Sequence, residues 1–129
     1  MTRYTGSCHC GAVSFAVEVD ISELYMCDCS LCRRRNALMA LAPEAALVIT
    51  DGEDVLTLYQ WNTGVAKHYF CRVCGIYPFH KKRSTPDHYA INVLCLDNFD
   101  EAAFSVRRAE GKGMSLEPGA RAEWPGPRG

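Results

Sequence analysis

Seven of the eight cysteines in this 129-residue chain fall into three tight groups. Cys8 and Cys10 stand in CHC, Cys27, Cys29 and Cys32 in CDCSLC, and Cys71 and Cys74 in CRVC; Cys95 stands apart. A C-x-C or C-x-x-C pair presents two sulfurs at one turn, which is half of a tetrahedral four-thiolate zinc site. Pairs distant in sequence must therefore meet. If the two pairs combine, Cys8, Cys10, Cys71 and Cys74 close a structural site, and the triplet keeps three thiolates and an open position. Such a position is what a catalytic zinc reserves for water or substrate. The count also admits other matches. The triplet can join one pair and leave the other unused. Alternatively, Cys29 and Cys32 can cycle as a redox C-x-x-C, although no βαβ pattern of the thioredoxin kind surrounds them.

Zinc with three thiolates carries one net negative charge, and a fourth thiolate adds another. An anionic thiol needs cations beside such a site. Arg33, Arg34 and Arg35 follow the triplet at once, and Lys81, Lys82 and Arg83 lie beyond the CRVC turn. They can hydrogen-bond substrate carboxylates, offset the cluster's charge or face water. A histidine titrates near neutrality, so His68, His80 and His88 are acid/base candidates whose plainer reading is a surface or part-buried strand residue. His9, between two ligands, is expected to point away from the metal. Cys95 is a core cysteine in a strand or an occasional fourth ligand. Tyr77 and Phe79, flanking Pro78, line an apolar pocket or simply belong to the core.

Composition bounds what such sites serve. The net charge is -1 and the apolar fraction 48%, which gives no global reason to expect a membrane or nucleic acid; the basic runs also lack interleaved aromatics. The first ten residues contain no apolar run of a signal peptide. The longest apolar stretch is interrupted by Pro43 and Glu44 and falls short of the roughly 20 residues a bilayer span needs. A cytoplasmic protein is expected, where clustered cysteines bind metal more often than they form disulfides.

The elements that must position the cysteines read as short strands. Val13, Phe15, Val17 and Val19 alternate with smaller or polar residues, the period of a half-buried strand, with CHC where an earlier short strand turns into this one. Strands are also expected at 45–50, 55–61, 65–70 and 76–81, the last restricted by Pro78 to an edge or bulge, and at 89–96. Asp51-Gly52 and Asn62-Thr63-Gly64 mark turns, as does the run TPDH at 85–88. Helix signals are scarce, the best being DNFDEAAF at 97–104. The prediction is a mainly β domain over 1–110, built of several short antiparallel sheets with metal-stapled turns, and an irregular Gly/Pro-rich tail over 111–129 that Trp124 pins to the body.

GSCHCG at 6–11, CDCSLC at 27–32, CRVCG at 71–75 and INVLCLD at 91–97 together resemble the glutathione-dependent formaldehyde-activating enzyme family, which also includes the animal centromere protein V. The likeness spans residues 4–100. It implies coiled β-sheets related to the zinc folds of Rab exchange factors and methionine sulfoxide reductase B. It implies two zinc ions per chain, a structural one on Cys8, Cys10, Cys71 and Cys74 and a catalytic one on Cys27, Cys29 and Cys32. It also implies a carbon–sulfur lyase-type activity that forms S-(hydroxymethyl)glutathione from glutathione and formaldehyde, or a related thiol adduct. The centromere relative implies an alternative, a zinc-stapled module that binds a protein or nucleic acid without catalysis. An enzyme leaves the triplet's metal open, whereas a scaffold closes it.

Overall fold

The computed structural model describes residues 1–61, 64–82 and 85–109. The predicted turn residues Asn62 and Thr63, the cation Arg83 and the 111–129 tail with Trp124 lie outside the described residues. Among the described residues, ten strands and one short helix follow in chain order: β1 (Thr2–Ser7), β2 (Ser14–Val19), β3 (Leu24–Cys27), α1 (Ser30–Arg35), β4 (Met39–Pro43), β5 (Leu47–Asp51), β6 (Leu56–Tyr59), β7 (Lys67–Cys71), β8 (Phe79–Lys81), β9 (His88–Asn92) and β10 (Val106–Ala109). The mainly β class is as the sequence predicts.

The strands form two sheets, β1-β2-β5 and β10-β3-β4-β9-β8-β7-β6. The pairing of β10 with β3 is parallel, and the other pairings within the named strands are antiparallel. The core joins the sheets. Phe15 and Val17 of β2 pack in one buried cluster with Ala40 and Ala42 of β4, Phe79 of β8 and Ile91 of β9. Phe15 meets Phe79 edge-on, ring centres 5.5 Å apart. Each of the larger side chains, Phe15, Val17, Phe79 and Ile91, contributes roughly 1.5–3 kcal/mol by its burial.

Several elements differ from their predicted form for identifiable reasons. Pro78 does not confine its strand to an edge, because β8 starts one residue later and runs between β7 and β9. The missing N–H falls before the ladder, and the Pro78 carbonyl accepts from Asn92 N–H at 2.9 Å. The strand-like run at 89–96 stops at Asn92, whose Oδ1 accepts from Leu94 N–H at 3.2 Å and turns the chain into a 3-10 turn at Val93–Cys95. The helix predicted at 97–104 reduces to a 3-10 turn, Glu101–Ala103, capped by Asp100. The strands β3, β4 and β10 and the helix α1 are additions to the predicted set. Gly52 makes its turn with φ +83, and a Cβ there would lie 1.8 Å from the Ala12 carbonyl oxygen. Among the described residues no helix is long and apolar enough to cross a membrane.

Candidate metal centres and the adjoining cavity

The fold brings Cys8, Cys10, Cys71 and Cys74 together, with their Sγ atoms all within 4.8 Å of one another. Cys8 and Cys10 sit in the turn from β1 to β2. Cys71 ends β7, and Cys74 follows in a tight turn closed by Gly75 N–H to the Cys71 carbonyl at 2.8 Å. Sulfurs about 2.3 Å from a tetrahedral zinc lie about 3.8 Å apart; Cys8–Cys10 is 3.6 Å and Cys10–Cys71 3.7 Å. Backbone N–H groups already point at these sulfurs, Val13 at Cys8 (3.3 Å) and Val73 at Cys71 (3.4 Å). A hydrogen bond from the Cys10 backbone is the main influence that pulls the Cys74 thiol down to about 6. Cys8 and Cys71 are fully buried beside Val13. The group thus fits a closed four-thiolate site that ties the small sheet to the large one.

The second group is local. Cys27 ends β3, Cys29 is the N-cap of α1 and Cys32 lies on its first turn. Their Sγ atoms also lie within 4.8 Å of one another. Cys29 Sγ accepts from Cys32 N–H at 3.4 Å, the role an Asp or Ser oxygen usually takes at a helix start. Taken as thiols, the three share protons unevenly. Hydrogen bonds from the Cys27 and Cys32 side chains, and from the Cys32 and Leu31 backbone, pull Cys29 down to about 2. The same side-chain bonds, with burial, push Cys32 up. A ready thiolate with two further soft donors suits zinc. Among the described residues this group has no fourth His, Cys, Asp or Glu.

Behind the triplet lies a buried polar network. Arg35 Nη2 donates to Cys32 Sγ at 3.2 Å, and Nη1 donates to His68 Nδ1 at 3.1 Å. Because guanidinium only donates, His68 Nδ1 is the acceptor. The guanidinium stacks on the Tyr77 ring, 3.7 Å from its centre. The Tyr77 hydroxyl bonds His80 Nδ1, and the two histidine rings lie 4.8 Å apart. Burial, and then the Arg35 charge, depress His68 to about 4. The same two causes hold His80 well below its ordinary value. Both are neutral at pH 7. Tyr25, another buried neighbour, carries the Lys82 ammonium 5.1 Å from its ring centre.

In front of the triplet is a cavity of about 310 Å³. Cys27 and Cys32 border it, together with Asp28, Arg33, Asn36 and Arg108. The sequence reading did not single out Arg108 or Asn36. Asn36 caps α1 in the left-handed region, φ 52, where Asn is one of the few tolerated side chains. The other predicted candidates separate clearly. None of the four histidines borders the cavity. His88 pairs with Asp87 at 3.0 Å, and Lys81 with Glu44. His9 is exposed. Cys95 belongs to neither cysteine group; it sits part-buried in the 3-10 turn after β9, and burial pushes its thiol up to about 11. Tyr77 and Phe79 are both core residues, but Tyr77 also floors the Arg35 network.

The sequence model of the glutathione-dependent formaldehyde-activating enzyme family matches residues 3–108. The chain belongs to that family. The resemblance read from the three cysteine clusters is therefore borne out, and the family is described by glutathione-dependent activation of formaldehyde. The chain is also similar to a solved structure, the crystal structure of a Rhodobacter sphaeroides protein. The two are 42% identical with a TM-score of 0.75, over 80% of this chain and 99% of that one. In this family member the two cysteine groups are candidate metal centres of different kinds, one with four thiol donors and one with three donors beside a cavity.

Proposed function

We propose that the chain is a zinc-dependent enzyme of carbon–sulfur lyase type that joins a small thiol to a small aldehyde, with glutathione and formaldehyde giving S-(hydroxymethyl)glutathione. The observation that carries this reading is the contrast between the two cysteine groups. Cys8, Cys10, Cys71 and Cys74 supply four donors and take the structural zinc. Cys27, Cys29 and Cys32 supply three, of which Cys27 and Cys32 border a cavity, and take the catalytic zinc. The metal, when bound there, supplies a Lewis-acidic position that favours the ionised form of an incoming thiol.

The chain's own residues set the conditions around that position. Arg35 offsets thiolate charge at Cys32, and Lys82 adds a second cation on the Tyr25 side. In the reaction the thiol proton leaves to solvent. The sulfur pair forms the C–S bond to the carbonyl carbon, the π pair moves to oxygen, and a solvent proton completes the hydroxyl. The histidines stand behind the triplet or on the surface, so the cavity-side residues orient the reactants and water exchanges the protons. We assign the activity to a domain over 1–110, apart from the 111–129 tail, and to the cytoplasm, where unpaired thiols persist.

The test is exchange NMR with ¹³C-formaldehyde and glutathione, in which hemithioacetal formation and breakdown are read directly. Zinc-loaded protein is expected to accelerate the exchange above the uncatalysed rate, and Cys29→Ser to abolish the acceleration. No acceleration with any thiol of a panel, in protein carrying two zinc ions, would replace the enzyme with the binding-module reading.

A further inference from the structure

Several cations of the described chain are held by other groups. Arg3 pairs with Glu18, Lys81 with Glu44 and Arg107 with Glu23. Arg35 is held by Cys32 and His68, and Lys82 reaches the Tyr25 hydroxyl at 3.4 Å. Arg33 and Arg108 differ. Both border the triplet's cavity, and among the described residues neither makes an ion pair. They come from opposite ends of the domain, Arg33 from α1 and Arg108 from the last strand.

Strand parity explains how Arg108 gets there. In the parallel pairing, Arg107 lies opposite Tyr25 and Arg108 opposite Met26. Successive side chains of a strand take opposite faces. Arg107 therefore turns to Glu23 and the Tyr25 ring, and Arg108 to the face of Met26, which also borders the cavity. Asn36 adds an amide to the same wall. Two guanidinium groups against the single carboxylate of Asp28 leave the cavity rim positive. At about 310 Å³ the space is at the small end of ligand pockets, roughly 300–1,000 Å³.

We propose that Arg33 and Arg108 form a carboxylate-anchoring subsite, which makes the chain selective for small anionic thiols over neutral thiols of equal nucleophilicity. This rests on the reading that the triplet's metal receives the thiol, and it deepens that reading by naming the substrate's second handle. A guanidinium fork matches a carboxylate with two parallel hydrogen bonds. Arg35 is excluded from the task because its donors face inward.

The experiment uses protein with cobalt in place of zinc, whose charge-transfer bands report an added thiolate. Glutathione and glutathione diethyl ester share one thiol and differ in their carboxylates. Wild type should bind the acid at least about tenfold more tightly than the ester, the scale of one charge-assisted hydrogen bond. Arg108→Gln and Arg33→Gln should each lose about that factor for the acid and leave the ester unchanged, with wild-type thermal melts. S-methylglutathione, which keeps the carboxylates and cannot coordinate as thiolate, is read by calorimetry instead and should still bind wild type weakly and fail to bind the double variant. Equal binding of acid and ester, or equal losses for both in the variants, overturns the anchor while leaving thiol binding intact. Cobalt bands unmoved by any thiol overturn the anchor and the parent reading together.

Discussion

Arg35→Met removes the donors behind the triplet but keeps a long apolar stem that can stay over Tyr77. Two hydrogen bonds from a charged group are lost, to Cys32 Sγ at 3.2 Å and to His68 Nδ1 at 3.1 Å. Each contributes about 1.5–3 kcal/mol. The guanidinium stack on Tyr77, at 3.7 Å, adds about 2 kcal/mol in a desolvated setting. Against this, Arg35 Nε is buried without a partner, at a cost of about 1–3 kcal/mol, and the buried charge is itself costly. A net destabilisation of about 2–4 kcal/mol remains, which for a domain of this size lowers Tm by roughly 7–17 °C. The second effect is electrostatic. Burial still depresses His68, but without the guanidinium its pKa rises from about 4 toward 6.5. A thermal melt of zinc-loaded protein and a ¹⁵N histidine NMR titration read the two effects separately. Arg35→Lys restores charge without the fork or the stack, so it should recover most of the His68 shift and little of the melt. If Arg35→Met melts like wild type and His68 titrates unchanged, the network neither supports the fold nor sets the histidine.

Four further outcomes are expected. Cys71→Ser breaks the group that links the two sheets; structural zinc supplies on the order of 10 kcal/mol of folding free energy, against a total stability of about 5–15 kcal/mol, so this variant should be unfolded or insoluble by circular dichroism. Cys29→Ser, in a group local to β3 and α1, should fold and bind one zinc by native mass spectrometry; indistinguishable melts for the two would reject the division into structural and catalytic sites. Stability should also depend on pH through His68. Between about 4 and the ordinary 6.5 the unfolded imidazole binds a proton that the folded one refuses, so the stability is fully present above pH 6.5 and is lost as pH falls toward 4, by about 3 kcal/mol. Urea midpoints at pH 7.5 and 5 should therefore converge in His68→Gln relative to wild type, and parallel profiles would refute the assignment. Gly52→Ala, which combines positive φ with a Cβ 1.8 Å from the Ala12 carbonyl oxygen, should forfeit soluble expression; a wild-type melt would show that the turn at 51–52 tolerates a side chain.

Ligand arithmetic narrowed the grouping of the cysteines to a few matches, and the family resemblance singled out the one that the fold assembles. The strands around β2, β6 and β7 were legible because their apolar residues alternate or end at Gly. The helix α1 was not, and the reason is chemical. Its N-cap is a thiolate, Cys29, where a reader looks for Ser or Asp among the usual oxygen caps, and its six residues are too few to show a period. Two signs were present all the same, three arginines in the last turn and Asn36 just after it, which is the charge and cap pattern of a helix end. Strand β10 was equally silent, since VRRA has no alternation of apolar and polar residues, and only its parallel partner β3 gives it a place.

That one missed helix hid the roles of the cations. Read as a string, Arg33, Arg34 and Arg35 are interchangeable neighbours of the triplet. On a helix each residue turns about 100° from the last, so the three must meet different surroundings. Cys32 and Arg35 are three residues apart and share a face, and the guanidinium is found on the Cys32 sulfur at 3.2 Å. Arg33 is turned to the cavity. The same logic, with a period of two, parts Arg107 from Arg108 on β10. A shift of one residue in the β3–β10 register would bring Arg107 to the cavity and carry Arg108 to Glu23. The cavity's charge therefore depends on a register that four backbone pairs define, and this is information that residue types alone do not contain.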